Sequence, residues 1–332
     1  MLIFKVLFVL LVSLVVYGCP ASSDKKASLI YYSIVSSGDS HTCGIENGKL
    51  YCWGFGSGGR LGTGNNDSQN TPTQIASDDN LNNWTVVSAG GDYTCGIESA
   101  KLYCWGLGAH GRLGTGNNNS QNTPTQIASN NNWTAVSGNS AHTCAIASGK
   151  LYCWGFGSGG RLGTGNNNSS NTPIQIGSDN NWTLVSAGGD YTCGIESGNL
   201  YCWGNGGNGR LGTGNNNSKN IPTQIGTDDN LNNWTVVSTG GDYTCGIESG
   251  NLYCWGLGTG GKLGTGNTSS SNSPTQVVGS DNDLINWTLV STGKFHTCGI
   301  ASDNLYCWGL GSNGRLGTGN TSGSNSPIKI ER

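Results

Sequence analysis

The chain has 332 residues, a formal net charge of −3, 11% charged side chains, 57 glycines, 13 cysteines and 11 tryptophans. So few charges imply no strongly basic surface and disfavour nucleic acid as a partner, because holding phosphates takes clustered Lys and Arg. Glycine- and asparagine-rich stretches signal abundant turns, while the recurring aromatics argue against disorder.

Met1 to Gly18 reads as an export signal: Lys5 stands near the start, an apolar run follows from Val6 to Val16, and a small residue precedes Cys19. The run is too short and wrongly flanked for a transmembrane helix. Its ending, VVYGC, resembles a bacterial lipoprotein processing box in which Cys19 becomes the lipidated N-terminus, although Tyr17 departs from the small residue usual there. Residues 20–28 are small, polar and charged and read as a tether. The expected division is a signal peptide over 1–18, a lipidated tether over 19–28 and a repeat domain over 29–332.

From Leu29 every feature belongs to a repeat. The stretch TCGIENGKLYCWGFGSGGRLGTGN, Thr42 to Asn65, returns five more times, with first cysteines at Cys43, Cys95, Cys144, Cys193, Cys245 and Cys298. Steps of 49 to 53 residues between them are a propeller-like period. In the first copy two short strands flank Asn47-Gly48, the strongest two-residue hairpin signal. If Glu46 and Lys49 close that turn, Cys43 falls opposite Cys52 at a non-hydrogen-bonded pair, where a disulfide fits. The same count pairs Cys95 with Cys104, Cys144 with Cys153, Cys193 with Cys202, Cys245 with Cys254 and Cys298 with Cys307, leaving Cys19 as the odd cysteine. Disulfides need an oxidising compartment, which an export signal supplies. Zinc is the rival, but each copy offers two sulfurs where a structural site takes four ligands. Reduced cysteines filling a core are a second alternative.

Each full unit also holds a Pro-led strand, a polar Asp/Asn loop and a strand opening on tryptophan, so four strands make one blade. Six prolines (Pro72, Pro124, Pro173, Pro222, Pro274, Pro327) are expected at strand starts, where a missing N–H is tolerated. Six tryptophans follow the second cysteines and five stand eleven residues before the first ones, with Tyr32 in that place in the first copy; all read as packing anchors. The first copy lacks a preceding Pro-led strand, and Pro327 leads a strand with no hairpin after it. The expected fold is therefore an all-β, six-bladed propeller, its ring closed by the C-terminal strand pairing into the first blade.

The pattern G-x-x-[HY]-T-C-x-I, G-x-L-Y-C-W-G, G-R-L-G-T-G closely resembles the regulator of chromosome condensation (RCC1) repeat over residues 29–332. The resemblance implies a β-propeller, typically of seven blades, whose best known member is a guanine-nucleotide exchange factor for a Ran-type GTPase acting through an inserted wedge and basic contacts. No unit here carries such an insertion. Six units replace seven, cysteines occupy the hairpin, and Arg60, Arg112, Arg161, Arg210, Lys262 and Arg315 stand where the family often has Gln. The ultraviolet-sensing plant relatives use Trp and Arg in the loop that here reads Gly91-Asp92-Tyr93-Thr94, and a secreted β-lactamase-inhibiting relative binds a protein across one face of its disc.

Other motifs have plainer readings. Every copy contains G-x-G-x-x-G, as in Gly54 to Gly59, but no helix follows to cradle a phosphate. GLGTGGKL, Gly256 to Leu263, approaches a P-loop yet has Leu263 where magnesium needs a hydroxyl. Asp78, Asp79, Asp228, Asp229, Asp281 and Asp283 could offer oxygens to calcium, but their spacing matches no known loop, and turns favour the same residues. No catalytic set stands apart from the repeat, and His110 reads as a surface loop residue.

The loop after each Trp strand should open on the same face as the Gly-rich return. Asp92, Asp190 and Asp242 then meet the six cations, either as rim ion pairs of little net energy or as a repeated contact face, with His41, His142 and His296 nearby. The expectation is a monomeric, exported, membrane-anchored propeller at the periplasm or cell surface, without catalytic residues, metal or cofactor, binding another protein or a repetitive surface polymer. An exchange-factor-like regulator and a carbohydrate-binding propeller are the alternatives.

Overall fold

The computed structural model describes residues 32–76, 81–129, 132–227, 230–278 and 284–331. Within them the strands form six four-stranded antiparallel sheets, each made of four consecutive strands. In the first these are β1 (Ile34–Ser37), β2 (His41–Glu46), β3 (Lys49–Gly54) and β4 (Gln69–Gln74), hydrogen-bonded in that order. Five more sheets follow over 84–127, 133–175, 182–224, 234–276 and 287–329, giving a six-bladed propeller. The β1-type strands are innermost: Ser36, Ser88, Gly138, Thr239 and Thr292, from such strands of five blades, line one central channel, and Gly189 adds the fourth blade's loop.

Local chemistry builds each hairpin. Asn47 and Gly48 take φ of 50° and 76°, the left-handed pair that matches the twist of the flanking strands. Glu46 then faces Lys49 and the register carries Cys43 opposite Cys52. All six expected bridges form, Cys43–Cys52 through Cys298–Cys307, each with its Cα atoms 4.1 Å apart. By loop entropy such a short ring is worth up to about 3 kcal/mol.

The core lies between blades. Cys43, Ile45, Leu50 and Leu61 of the first blade pack with Trp84 and Trp105 of the second, and equivalent clusters join each later pair up to the fifth and sixth. Ten tryptophans are buried, while Trp53 of the first blade is half-buried. Each buried indole removes on the order of 200 Å² from water, a gross gain of about 5 kcal/mol before ordering costs. Tyr32 takes the tryptophan place as expected, its ring 5.8 Å from that of Trp53.

Two expectations are corrected. The C-terminal strand, Ser324–Lys329, pairs with Asn304–Gly309 of its own blade and not with the first blade, which already has β4. The reason is phase: the Gly-rich return leads straight back alongside the second hairpin strand, so a blade runs from Trp strand to Pro strand and none is left over. The prolines, moreover, lie inside the outermost strands. Pro72 sits within β4, opposite the register shift between Cys52 and Gly54, where an edge strand tolerates the missing donor.

Candidate functional site

The Gly-rich return and the loop after the innermost strand meet between blades, on one face of the disc. After β3 a single 3-10 turn, Ser57–Gly59, delivers Arg60. Arg60 Nε donates to the Ser57 carbonyl at 2.8 Å, and Nη1 reaches the Gly91 carbonyl at 3.2 Å and Asp92 Oδ1 at 2.9 Å on the second blade. Two residues on, Gly62 has φ +79°, and a Cβ there would lie 2.6 Å from the Trp105 indole nitrogen. Glycine is thus required both by conformation and by the neighbouring blade's approach.

The unit recurs with variations. Arg161 bonds the Gly189 carbonyl and Asp190, and Arg210 the Gly241 carbonyl and Asp242. Arg112 meets a blade where Ala141 replaces the aspartate; it donates to the Ser140 carbonyl at 2.7 Å and lies 3.8 Å from Asp92. Lys262 faces the blade carrying Phe295 and holds its ammonium over the Tyr243 ring. Arg315 donates to its own Ser312 carbonyl and lies over Phe295.

The opposite charges expected on this face therefore do meet, but five of the six cations are not displayed. Arg60, Arg112, Arg161, Arg210 and Lys262 are only 5–7% exposed, because the arginines are spent on carbonyls of the following loop and Lys262 on an aromatic face. The repeated cation expected as a contact face is corrected accordingly. What the face offers are the side chains of Asp92, Asp190 and Asp242, 44–49% exposed. Such half-exposed pairs contribute at most about 1 kcal/mol each.

His41 and His142 also belong to the interior. His41 Nε2 and His142 Nε2 each lie 2.8 Å from a threonine hydroxyl on the next blade, Thr94 and Thr192. Burial, aided by the nearby Arg60 and Arg161 charges, lowers their pKa to about 4 and about 3. Tyr93 in the same register donates to the His142 carbonyl, and burial pushes its pKa up to about 12. His296 on the last blade is half-buried, its pKa lowered by burial and then by Arg315.

A row of residues given no role in the sequence ties the clamp. Thr94, Thr143, Thr192, Thr244 and Thr297 are fully buried, and each donates at 2.8 Å to the carbonyl of the preceding blade's Arg or Lys. The signal for them was the threonine before every first cysteine. Cys19 and the acids Asp78, Asp79, Asp228, Asp229, Asp281 and Asp283 lie outside the described residues. Gly54 to Gly59 holds the 3-10 turn in place of a helix. Among the described residues no three His, Cys, Asp or Glu are grouped to hold a metal, and no helix is long and apolar enough to cross a membrane.

The family model of the regulator of chromosome condensation (RCC1) repeat matches six times, over residues 47–97, 99–146, 148–195, 197–247, 249–300 and 302–332. The ultraviolet-B receptor UVR8 of Arabidopsis thaliana is 36% identical over 97 residues, 28% of this chain and 22% of the receptor. The human E3 ubiquitin-protein ligase HERC2 is 32% identical over 112 residues, 33% of this chain and 2% of the ligase. The matches thus span a small part of either relative. Among solved structures, human WBSCR16 overlays with a TM-score of 0.77 at 19% identity, covering 90% of this chain and 82% of that one. Yeast RCC1 (Prp20), solved bound to Kap60, gives 0.78 at 18%, covering 91% of this chain and 75% of that one.

Proposed function

Because the chain belongs to the RCC1 repeat family, we propose that it is a rigid protein-binding scaffold, exported and anchored to a membrane through lipidated Cys19, at the periplasm or cell surface. The observation that carries the reading is the set of half-exposed carboxylates, Asp92, Asp190 and Asp242, each held at a repeated place by an arginine of the preceding blade. Carboxylates fixed on a stiff disc cost little ordering on binding and suit a partner with Lys or Arg at matching intervals. Six disulfides, five of them fully buried, support export, since a reducing cytosol does not keep such bonds. The similar yeast protein Prp20p is described by its binding to Gsp1p and histones, which supports the use of this fold as a binding platform.

The test is proximity labelling in the intact host, comparing the parent with the triple variant Asp92→Asn, Asp190→Asn, Asp242→Asn. The expected outcome is loss of the strongest labelled proteins, with capture rates down on the order of tenfold at low salt and an unchanged melting temperature. An unchanged labelled set places binding elsewhere on the disc. Mass spectrometry of the membrane fraction checks the anchor, and an unmodified Cys19 removes it.

A further inference from the structure

The five interfaces within the arc repeat one set of bonds. Besides the threonine-to-carbonyl bond, a glycine N–H of each return donates to an asparagine carbonyl of the next blade, from Gly64 to Asn122 through Gly266 to Asn325. Near the channel a serine hydroxyl accepts the N–H of the next blade's innermost strand, as Ser36 does from Ala89 and Ser238 from Thr292. Between the sixth blade and the first, none of these bonds is made among the described residues, and both halves of the set stand open.

On the first blade Thr42 is half-buried where its five equivalents are fully buried, and Trp53 is the one half-buried tryptophan. On the sixth blade His296, Cys298 and Ile300 are half-buried where every equivalent is buried. Phe295, Leu305 and Leu310 are 40–45% exposed. A Cβ on Gly314 or Gly319 would meet nothing within 4 Å, whereas at Gly261, the equivalent of Gly314, it would press on Asn325 of the next blade.

Five like interfaces impose five like rotations. Had each been a sixth of a turn, the last two faces would have met as the others do, so the rotation is smaller and a seam remains. A second copy cannot fill it through the same contacts, because its own second blade would then fall on the first blade of the arc. By the pattern of the five internal interfaces, each of the two faces takes a blade of the same repeat type.

We infer that this seam is a docking site for a single four-stranded blade of the same repeat type, presented by a partner chain, which completes the ring. The five internal interfaces specify its chemistry. Toward the sixth blade it brings a threonine hydroxyl for the Arg315 carbonyl, an asparagine carbonyl for the Gly319 N–H and an indole against Gly317. Toward the first blade it brings a backbone carbonyl for Thr42 and aliphatic cover for Trp53. This surface is distinct from the acidic face above, so either reading can fail alone.

The probe is the full chain followed by a protease site and a second copy of residues 225–278. Intact, it should lose the iodide-quenchable tryptophan emission that the parent owes to Trp53, assigned with Trp53→Phe, and melt several degrees higher. After cleavage the added blade should stay bound through gel filtration. Continued quenching of Trp53 in the intact fusion, or release of the blade once cut, overturns the proposal. A second fusion carries Thr244→Arg in the added copy only, which sets a bulky charge against the Arg315 carbonyl. It should return quenching and melting temperature to the parent's values, and protection that survives this change also overturns the proposal.

Discussion

Thr143 and Thr42 hold the same place in the repeat, yet one is sealed between blades with its hydroxyl on the Arg112 carbonyl and the other is half open to water. Trp105 and Trp53 differ in the same way. The units are nearly alike in sequence, so the difference belongs to the neighbour and not to the residue. In an array of this kind stability is a sum of unit and nearest-neighbour terms, and among the described residues the two end faces lack one neighbour each.

The sharpest way to break that comparison is with the tryptophans. Trp105→Ala should cost about 3–5 kcal/mol, and Trp53→Ala less than half as much, both read from denaturant midpoints. Equal losses would mean that the first blade is covered in solution. The arginines come next. Arg112→Gln removes a charged donor from the partly buried bond to the Ser140 carbonyl and should cost about 1–3 kcal/mol. Arg315→Gln, whose partners among the described residues are its own turn and Phe295, should stay within about 0.5 kcal/mol of the parent.

The smallest contrast is in pH. An unfolded histidine takes up its proton near pH 6.5, whereas burial holds His142 down to about 3. Below pH 6.5 the unfolded chain therefore binds the extra proton. Stability is full above that pH, falls by up to about 1.4 kcal/mol per pH unit as acid is added, and levels off below the folded pKa. His142→Tyr, which installs the residue found at positions 93, 191 and 243, should remove that share of the difference in melting temperature between pH 7 and pH 5. His296→Tyr, at the open face where water reaches the ring, should change it less.

Much of this was legible in the chain because it is local. Asn47-Gly48 sets a two-residue turn, the turn sets the register, and the register places Cys43 against Cys52, all within ten residues. The repeat period then called for blades, and the loops bearing Asp92, Asp190 and Asp242 were correctly expected to meet the Gly-rich returns. Which of the two charges would face water was not legible. Arg60 and Gly91 are 31 positions apart, and whether a guanidinium lies over or under the next loop depends on how closely two sheets approach.

By itself the sequence determined the hairpins, the six bridges, the tryptophan anchors and the number of blades, since each follows from turn chemistry and side-chain alternation within one unit. Only the tertiary structure decided that the Pro strand closes its own blade, that five of the six cations turn inward and that the bonds joining the other blades are not repeated between the sixth and the first among the described residues. The last two outcomes depend on the rotation from one sheet to the next. That rotation is set jointly by the side chains packed between two blades, such as Leu61 and Ile75 against Trp84 and Trp105, and no single unit of the repeat carries it.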